Sequence, residues 1–432
     1  MNSKITEEFI IEENYFNRLS SVISSIGDFK NFFEAEKGHD ITLLLASLLA
    51  TAIALRVSDI HIEPEESDSK IRFRVDGLLQ DAAQINPEVA KTIYSRIKLL
   101  SGIKFNVTNK PQDGRFAISV GKKQIEARVS LIPSNYGDSI VIRILNSENI
   151  LDLIDLGIRP DILKNFEKAI AQPNGLILVT GPTGSGKTTT LYAILKRLQD
   201  PTVKIITIED PIEYRLEDIT QTQIDLEKGY SFAEGLKAIV RQDPDVILVG
   251  EIRDNETCQT AIQAALTGHL VLATLHTNDS VGAINRLMAL GALPQNIAPA
   301  LNLVVAQRLA RKICPACAKK QKISTQEYDI LKEEIKELPH NIEPKNFSKE
   351  LKLPHPVGCP KCNNTGYIGR IGLYEMFFLD NEMKDYIVKE NSTIKIKKMA
   401  QDKGLITMRQ DGILKVIEGI TSLEEVQRVV GQ

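Results

Sequence analysis

Gly181, Pro182, Thr183, Gly184, Ser185, Gly186, Lys187 and Thr188 follow one another in the spacing G-x-x-x-x-G-K-[ST], the pattern of a phosphate-cradling loop. Glycines let such a loop wrap until backbone N–H groups and a helix N-terminus face an anion, while a lysine reaches the β/γ oxygens and a hydroxyl can hold Mg²⁺. The ligand this pattern calls for is a nucleoside triphosphate such as ATP. The context agrees, because Leu176–Thr180 reads as a strand and Thr188–Gln199 as the helix that follows.

Two acidic segments resemble the strand ends that accompany such a loop. Ile206-Thr-Ile-Glu209-Asp210-Pro-Ile-Glu213 closes a β-branched strand in a carboxylate cluster, and Asp245-Val-Ile-Leu-Val249-Gly250-Glu251 closes another in a single glutamate. Most phosphate-loop enzymes keep a Mg²⁺-holding aspartate where Gly250 stands, and here the acid comes one residue later. Glu251 is therefore expected to orient or deprotonate the attacking water, with Glu209 completing the Mg²⁺ and water shell. These two roles can be exchanged between them. A purely structural use, pairing with Arg215 or Arg253, is the alternative. His276, in Gly268-His269-Leu-Val-Leu-Ala-Thr-Leu-His276-Thr-Asn-Asp279, ends a third strand, where an imidazole can sense a γ-phosphate or a neighbouring subunit. His269 opens that strand and belongs at its opposite edge.

Cys314-Pro-Ala-Cys317 and Cys359-Pro-Lys-Cys362 form two C-x-x-C pairs, which suit a tetrahedral, structural Zn²⁺ with no open position for substrate. Disulfides are the alternative, disfavoured by the reducing compartment expected for a phosphate-loop enzyme without a signal sequence. Cys258 is left over and reads as a small core residue.

The elements that must position these groups can be traced along all 432 residues, enough for two to four domains. Residues 1–39 are a polar, weakly amphipathic segment. Residues 40–148 alternate as half-buried strands around a helix over Asn86–Ser101 and read as a small α+β domain, opened by an apolar core helix at Ile41–Leu55. A linker over 149–173 leads to an α/β, RecA-like core over 174–312 with parallel strands in its sheet. A tetracysteine zinc module over 313–372 and a helical region over 373–432 follow, the last helix opened by a capping box at Ser422-Leu-Glu-Glu425. A net charge of −3, no tryptophan and 5% aromatic residues argue against a nucleic-acid partner. The Ile41–Leu55 stretch falls short of the roughly 18 to 20 residues that span a bilayer. The expectation is a cytoplasmic protein that meets a membrane through partners.

The order phosphate loop, Ile-Glu-Asp-Pro, Gly-Glu-Ile-Arg-Asp, Thr-Leu-His-Thr-Asn-Asp and tetracysteine resembles the ATPases of type II secretion and type IV pilus assembly, from about Ser58 to the C-terminus. That resemblance implies a homo-hexameric motor, peripheral to the inner membrane, that uses ATP, Mg²⁺ and Zn²⁺. It also implies an inner-membrane platform protein and a membrane-recruitment protein as partners. By the same resemblance Arg128 and Arg143 would act on the nucleotide, and the four cysteines favour the assembly type over the retraction type. Relatives usually carry a folded recruitment domain ahead of the Ser-Asp-Ile-His-Ile-Glu segment, whereas about 40 residues precede the first apolar helix here. The segment before Pro-Gln-Asp-Gly lacks the usual acid and arginines, and Lys237 stands where relatives often have arginine. Two other readings use the same parts: a zinc-ribbon nucleic-acid translocase and a nucleotide-binding scaffold that does not hydrolyse.

Overall fold

Alternating apolar and polar side chains build the first sheet, and apolar runs build the central strands Gly175–Thr180, Val246–Val249 and Leu270–Leu275 of the second. The computed structural model describes residues 7–35, 40–145, 151–339, 342, 344, 347–390 and 392–431. The junction expected at 148/149 lies outside the described residues. The chain divides into two compact units, one of Met1–Asn149 with Cys314–Ala318 and Pro356–Ile368, the other of Ile150–Ile313, Lys319–His355 and Gly369–Gln432.

The first unit runs β1 (Glu8–Ile11), α1 (Glu13–Val22), α2 (Ile26–Ala35), α3 (Ile41–Ala54), β2 (Asp59–Pro64), β3 (Ser69–Val75), β4 (Leu78–Ile85), α4 (Pro87–Ser101), β5 (Gln112–Val120), β6 (Lys123–Ser134) and β7 (Gly137–Leu145). Its seven strands lie in the order β1-β5-β6-β7-β2-β3-β4, antiparallel apart from the parallel β1–β5 pair. Ile60, Ile62, Ile71 and Phe73 point from alternate positions into one core, which α3 joins through its buried stretch Leu44–Ala52. Helix α4 forms where the local chemistry demands it: Asn86 caps the Val89 N–H at 2.9 Å, Pro87 takes the first position, and Gly102 ends it at φ 69°. The polar N-terminal stretch is more ordered than its composition suggests. Phe29 and Phe33 are fully buried in the same core, and Phe29 packs on Phe73 with ring centroids 5.1 Å apart.

The second unit begins with α5 (Pro160–Ile170), β8 (Gly175–Thr180), α6 (Lys187–Leu198), β9 (Ile205–Glu209), β10 (Thr220–Gln223), α7 (Phe232–Val240), β11 (Val246–Val249), α8 (Asn255–Leu266), β12 (Leu270–Leu275), α9 (Gly282–Ala289) and α10 (Pro294–Ala300). It continues through β13 (Leu301–Ile313), β14 (Lys319–Lys322), α11 (Thr325–Lys336), β15 (Lys352–His355), β16 (Tyr367–Phe378), α12 (Asn381–Lys389), α13 (Thr393–Asp402), α14 (Met408–Ile417) and α15 (Leu423–Val430). Its main sheet has the order β10-β9-β11-β12-β8-β13-β16, with parallel pairing from β10 through to β13. Leu176 and Leu178 enter one core and Ile177 and Val179 the other, so β8 is covered on both faces, as parallel sheets are. This is the RecA-like α/β core expected, and Cys258 is a fully buried member of α8.

Near the C-terminus Ser422 caps α15 by accepting the Glu425 N–H, the first half of the capping box expected there. The wholly buried Glu425 carboxylate also accepts from the Arg311 backbone at 2.9 Å and from the guanidiniums of Arg311 and Arg428 at 2.6 Å. Burial alone would raise this carboxyl, but those donors outweigh it and hold the pKa at about 2. A folded-state value below the ordinary 4.5 means the stabilisation is present above 4.5 and lost as pH falls towards about 2. In acid titrations followed by thermal melting, the wild-type midpoint should fall further across that window than the midpoint of Glu425→Gln. Parallel curves would contradict the role given to this carboxylate.

Candidate nucleotide site and cysteine cluster

The phosphate loop leaves β8 at Thr180 through Gly181, whose φ of 147° suits only glycine. A Cβ there would stand 2.5 Å from the Gln307 carbonyl oxygen and 2.7 Å from Ser185 Oγ. Gly184 and Gly186 also take positive φ, and α6 starts directly at Lys187. Lys187 Nζ turns back on its own loop, donating to the carbonyls of Gly181 at 2.8 Å and Pro182 at 3.1 Å. Burial lowers its pKa; the Glu251 charge works against that shift and the Arg308 charge adds to it. Ser185 Oγ is buried without a hydrogen-bond partner among the described residues. An orphaned hydroxyl beside curled N–H groups fits an anion, and the strand–loop–helix setting fits a triphosphate.

Thr188, Glu209, Asp210, Glu213, Gly250 and Glu251 line one cavity of about 80 Å³ between the ends of the central strands. Glu251 accepts from Arg253 at 2.7 Å and lies 3.3 Å from His276 Nε2. Partial burial pushes this carboxyl up, yet Arg253, His276 and Lys187 together hold it below the ordinary range, so it is an anion at neutral pH. Glu209 is more deeply placed. Tyr192 O–H and Thr207 Oγ1 donate to it, the latter at 2.5 Å, and Gln221 Nε2 donates at 3.2 Å. Burial raises its pKa despite these donors. Gly250 has a steric reason for lacking a side chain, since a Cβ would stand 3.2 Å from both Glu209 Cα and the Ile208 carbonyl oxygen. A side chain at Gly250 would therefore be crowded by backbone atoms, and the acid that lines this cavity stands one residue later, at Glu251.

The histidine loop is fastened to the phosphate loop, because Thr180 Oγ1 accepts from Thr277 N at 2.8 Å. His269 sits at the opposite end of β12, with Nδ1 3.0 Å from the Ala264 carbonyl. Arg128 and Arg143 belong to the first unit, directly opposite each other on β6 and β7. Arg115 faces Arg128 from β5, while Asp59 on β2 lies between Arg143 and Arg74. Arg143 Nε donates to Asp59 Oδ1 at 2.9 Å, and Arg128 Nε to Glu126 Oε1 at 3.3 Å. Like charges set opposite one another across strands cost stability. Lys237 donates to Glu234 at 3.2 Å and also pairs with Glu256.

All four Sγ atoms of Cys314, Cys317, Cys359 and Cys362 lie within 4.8 Å of one another. The neighbouring separations of 4.0, 3.8 and 3.7 Å are far beyond an S–S bond of about 2.05 Å. They match the edge of roughly 3.8 Å that four Zn–S bonds of about 2.3 Å imply. Burial pushes the Cys314 thiol up to about 11. It also opposes ionisation of Cys362, but N–H donors from Cys359 and Gly366 outweigh it there and bring that thiol to about 7. The knuckle belongs to the first unit, where Asn363 Oδ1 accepts the Ile26 N–H of α2 at 2.7 Å.

Sequence reading missed Tyr192, Gln307 and Arg308. A glutamine in the apolar run of β13 was the available signal, for Gln307 is buried and its amide bonds Thr190 Oγ1 at 2.8 Å and the Ser185 carbonyl at 2.7 Å.

Fold, phosphate loop and cysteine cluster together define a P-loop protein of the RecA-like class. A sequence model of the family described as Type II/IV secretion system protein matches residues 34–428, and the chain belongs to that family. It is 44% identical to the type II secretion system protein E of Dickeya dadantii (strain 3937), over 95% of this chain and 79% of the relative. Identity to the type II secretion system ATPase E of Vibrio cholerae is 42%, over 93% of this chain and 77% of that one. Among solved structures, the pilus retraction motor PilT with bound ADP aligns with a TM-score of 0.58 at 28% identity, covering 88% of this chain and 95% of PilT. The Legionella pneumophila ATPase DotB aligns at 0.66 and 22% identity, over 89% and 95% of the two chains, and shows the fold. Among the described residues, no helix is long and apolar enough to cross a membrane.

Proposed function

We propose that this chain is a Mg²⁺-dependent ATPase that works as a cytoplasmic homo-hexamer and drives pseudopilus or pilus assembly at the inner membrane. The observation that carries the reading is Glu251: an anionic carboxylate beside His276, sharing one cavity with Thr188 of the phosphate loop. Lys187 would turn from its loop carbonyls to the β/γ oxygens, and Thr188 would help hold Mg²⁺. Glu251 would orient the attacking water and accept its proton. Glu209, held by Tyr192, Thr207 and Gln221, would keep that shell in place. A platform protein and a recruitment protein of the machine would supply the membrane attachment, and no nucleic acid would take part. The relative named an ATPase and the retraction motor with bound ADP support the nucleotide reading. Phosphate release from ATP by the purified chain, abolished by a Mg²⁺ chelator and accompanied by a hexamer in native mass spectrometry, is the test. A chain that binds ATP without releasing phosphate would favour the scaffold reading.

Arg128 and Arg143 are proposed, on the family resemblance, to act on the nucleotide. Arginines that stabilise a transferring phosphoryl group contribute about 10³ to 10⁵ in rate. Arg143→Ala, and to a similar degree Arg128→Ala, should lower turnover at least about tenfold while leaving zinc content and the melting transition in place. Wild-type turnover in both variants would remove these arginines from the reaction.

A further inference from the structure

Strand β13 runs beside β8 with Val305 opposite Val179 and Ala306 opposite Thr180. Residues 307–309 therefore extend past the last residue of β8, alongside the phosphate loop. Alternation sends Gln307 and Leu309 to one face. There the Gln307 amide bonds the Ser185 carbonyl, and a Leu309 methyl would lie 3.4 Å from a Cβ on Gly186. Arg308 takes the other face, towards the histidine loop, where its Nη2 donates to Asn278 Oδ1 at 3.3 Å. Its Nη1 is buried and has no hydrogen-bond partner among the described residues.

A buried guanidinium N–H without an acceptor is costly unless an anion completes it. The charge of Arg308 is already felt at Lys187, where it adds to the lowering of that ammonium's pKa. Two cations left near one another at the mouth of a phosphate loop are stabilised when phosphate arrives. Nearby acids are committed elsewhere: Glu251 to Arg253 and His276, and Asp279 to Lys397 at 3.1 Å.

We infer that Arg308 is a phosphate-sensing cation of this site, whose free Nη1 serves the terminal phosphate of a bound nucleoside triphosphate and whose bond to Asn278 carries that state to the His276 loop. This rests on the nucleotide reading above. It separates ATP from ADP, because only the triphosphate presents the terminal charge.

The test titrates Mg-ATP and Mg-ADP into the full chain and its variants at one salt concentration, alongside phosphate release and thermal melting. Arg308→Gln should weaken ATP about ten- to hundredfold, the loss of a charge-assisted bond, and ADP less than about threefold. Arg308→Lys, which keeps the charge but not the fork, should regain part of that loss. Equal weakening of both nucleotides, or of neither, overturns the assignment. Should Arg308→Gln show no cooperative melting, the lysine variant decides: an ATP-only loss of about threefold or more supports the role, and an unchanged ATP/ADP ratio overturns it. Binding needs no turnover, so a wild type that binds ATP without hydrolysing it sinks the ATPase reading and still judges Arg308. A wild type that binds neither nucleotide sinks both.

Discussion

Glu251→Gln should bind ATP as tightly as the wild type and release phosphate about 10² to 10⁴ times more slowly, the range over which a positioned general base contributes. The substitution keeps the shape of the side chain and removes its negative charge. In the folded protein that charge is secured by Arg253 at 2.7 Å, with His276 3.3 Å away. The loop's own hydrogen bonds do not involve it, since Gln307 holds the Ser185 carbonyl and the loop carbonyls of Gly181 and Pro182 hold the lysine. Lys187→Ala should behave differently, weakening the nucleotide itself because the ammonium that reaches the β/γ oxygens is lost. The pair of variants therefore separates binding from chemistry. Undiminished phosphate release by Glu251→Gln would remove Glu251 from the reaction, and Glu209→Gln would then be the variant expected to lose turnover. The crowding that a side chain at Gly250 would meet is consistent with an acid placed at Glu251.

The parts of the site that are contiguous in the chain were legible from the residues. Gly181 to Thr188, Glu251 after its apolar strand and the two C-x-x-C pairs each carry their chemistry and spacing within a few positions. What could not be read depends on register between strands far apart in sequence. Gln307 reaches Ser185 only because β13 lies parallel to β8, and Tyr192 reaches Glu209 only because α6 packs near the end of β9. The alignment of Arg115 with Arg128 and Arg143 needs three strands in register, although each arginine is unremarkable in its own segment. Strand β13 itself was hidden by its place after α10, where thirteen residues, Leu301–Ile313, continue without a turn signal. The N-terminal helices escaped notice for another reason. Their apolar residues are interspersed with polar ones, but Phe29 and Phe33 supply large buried rings to a core whose other side is built by distant strands.

Purified without chelator, the chain should carry one zinc ion, and Cys362→Ser should lose it. The sulfur separations suit tetrahedral thiolate ligation and are far longer than an S–S bond. Cys362 is the most informative position. Its thiol is lowered to about 7, against burial, by the N–H groups of Cys359 and Gly366, which favours the thiolate a metal needs. Structural zinc contributes about 10 to 16 kcal/mol of apparent binding free energy in small metal-folded peptides, and most of it is folding free energy. Loss should therefore fall on the segments the metal joins, residues 314–318 and 356–368, which come from two places in the chain and meet nowhere else through a covalent bond. Hydrogen exchange in those segments should rise to the level of exposed loops, and the Asn363 cap on α2 should fray with them. Nucleotide affinity at the phosphate loop should stay within about twofold, because no cysteine ligand contributes to that loop's hydrogen bonds. Metal analysis that finds no zinc, or mass spectrometry of freshly reduced protein that finds the cysteines paired as disulfides, would end the metal assignment. Exchange that rises equally across the whole chain would show that the metal holds more of the fold than these two segments.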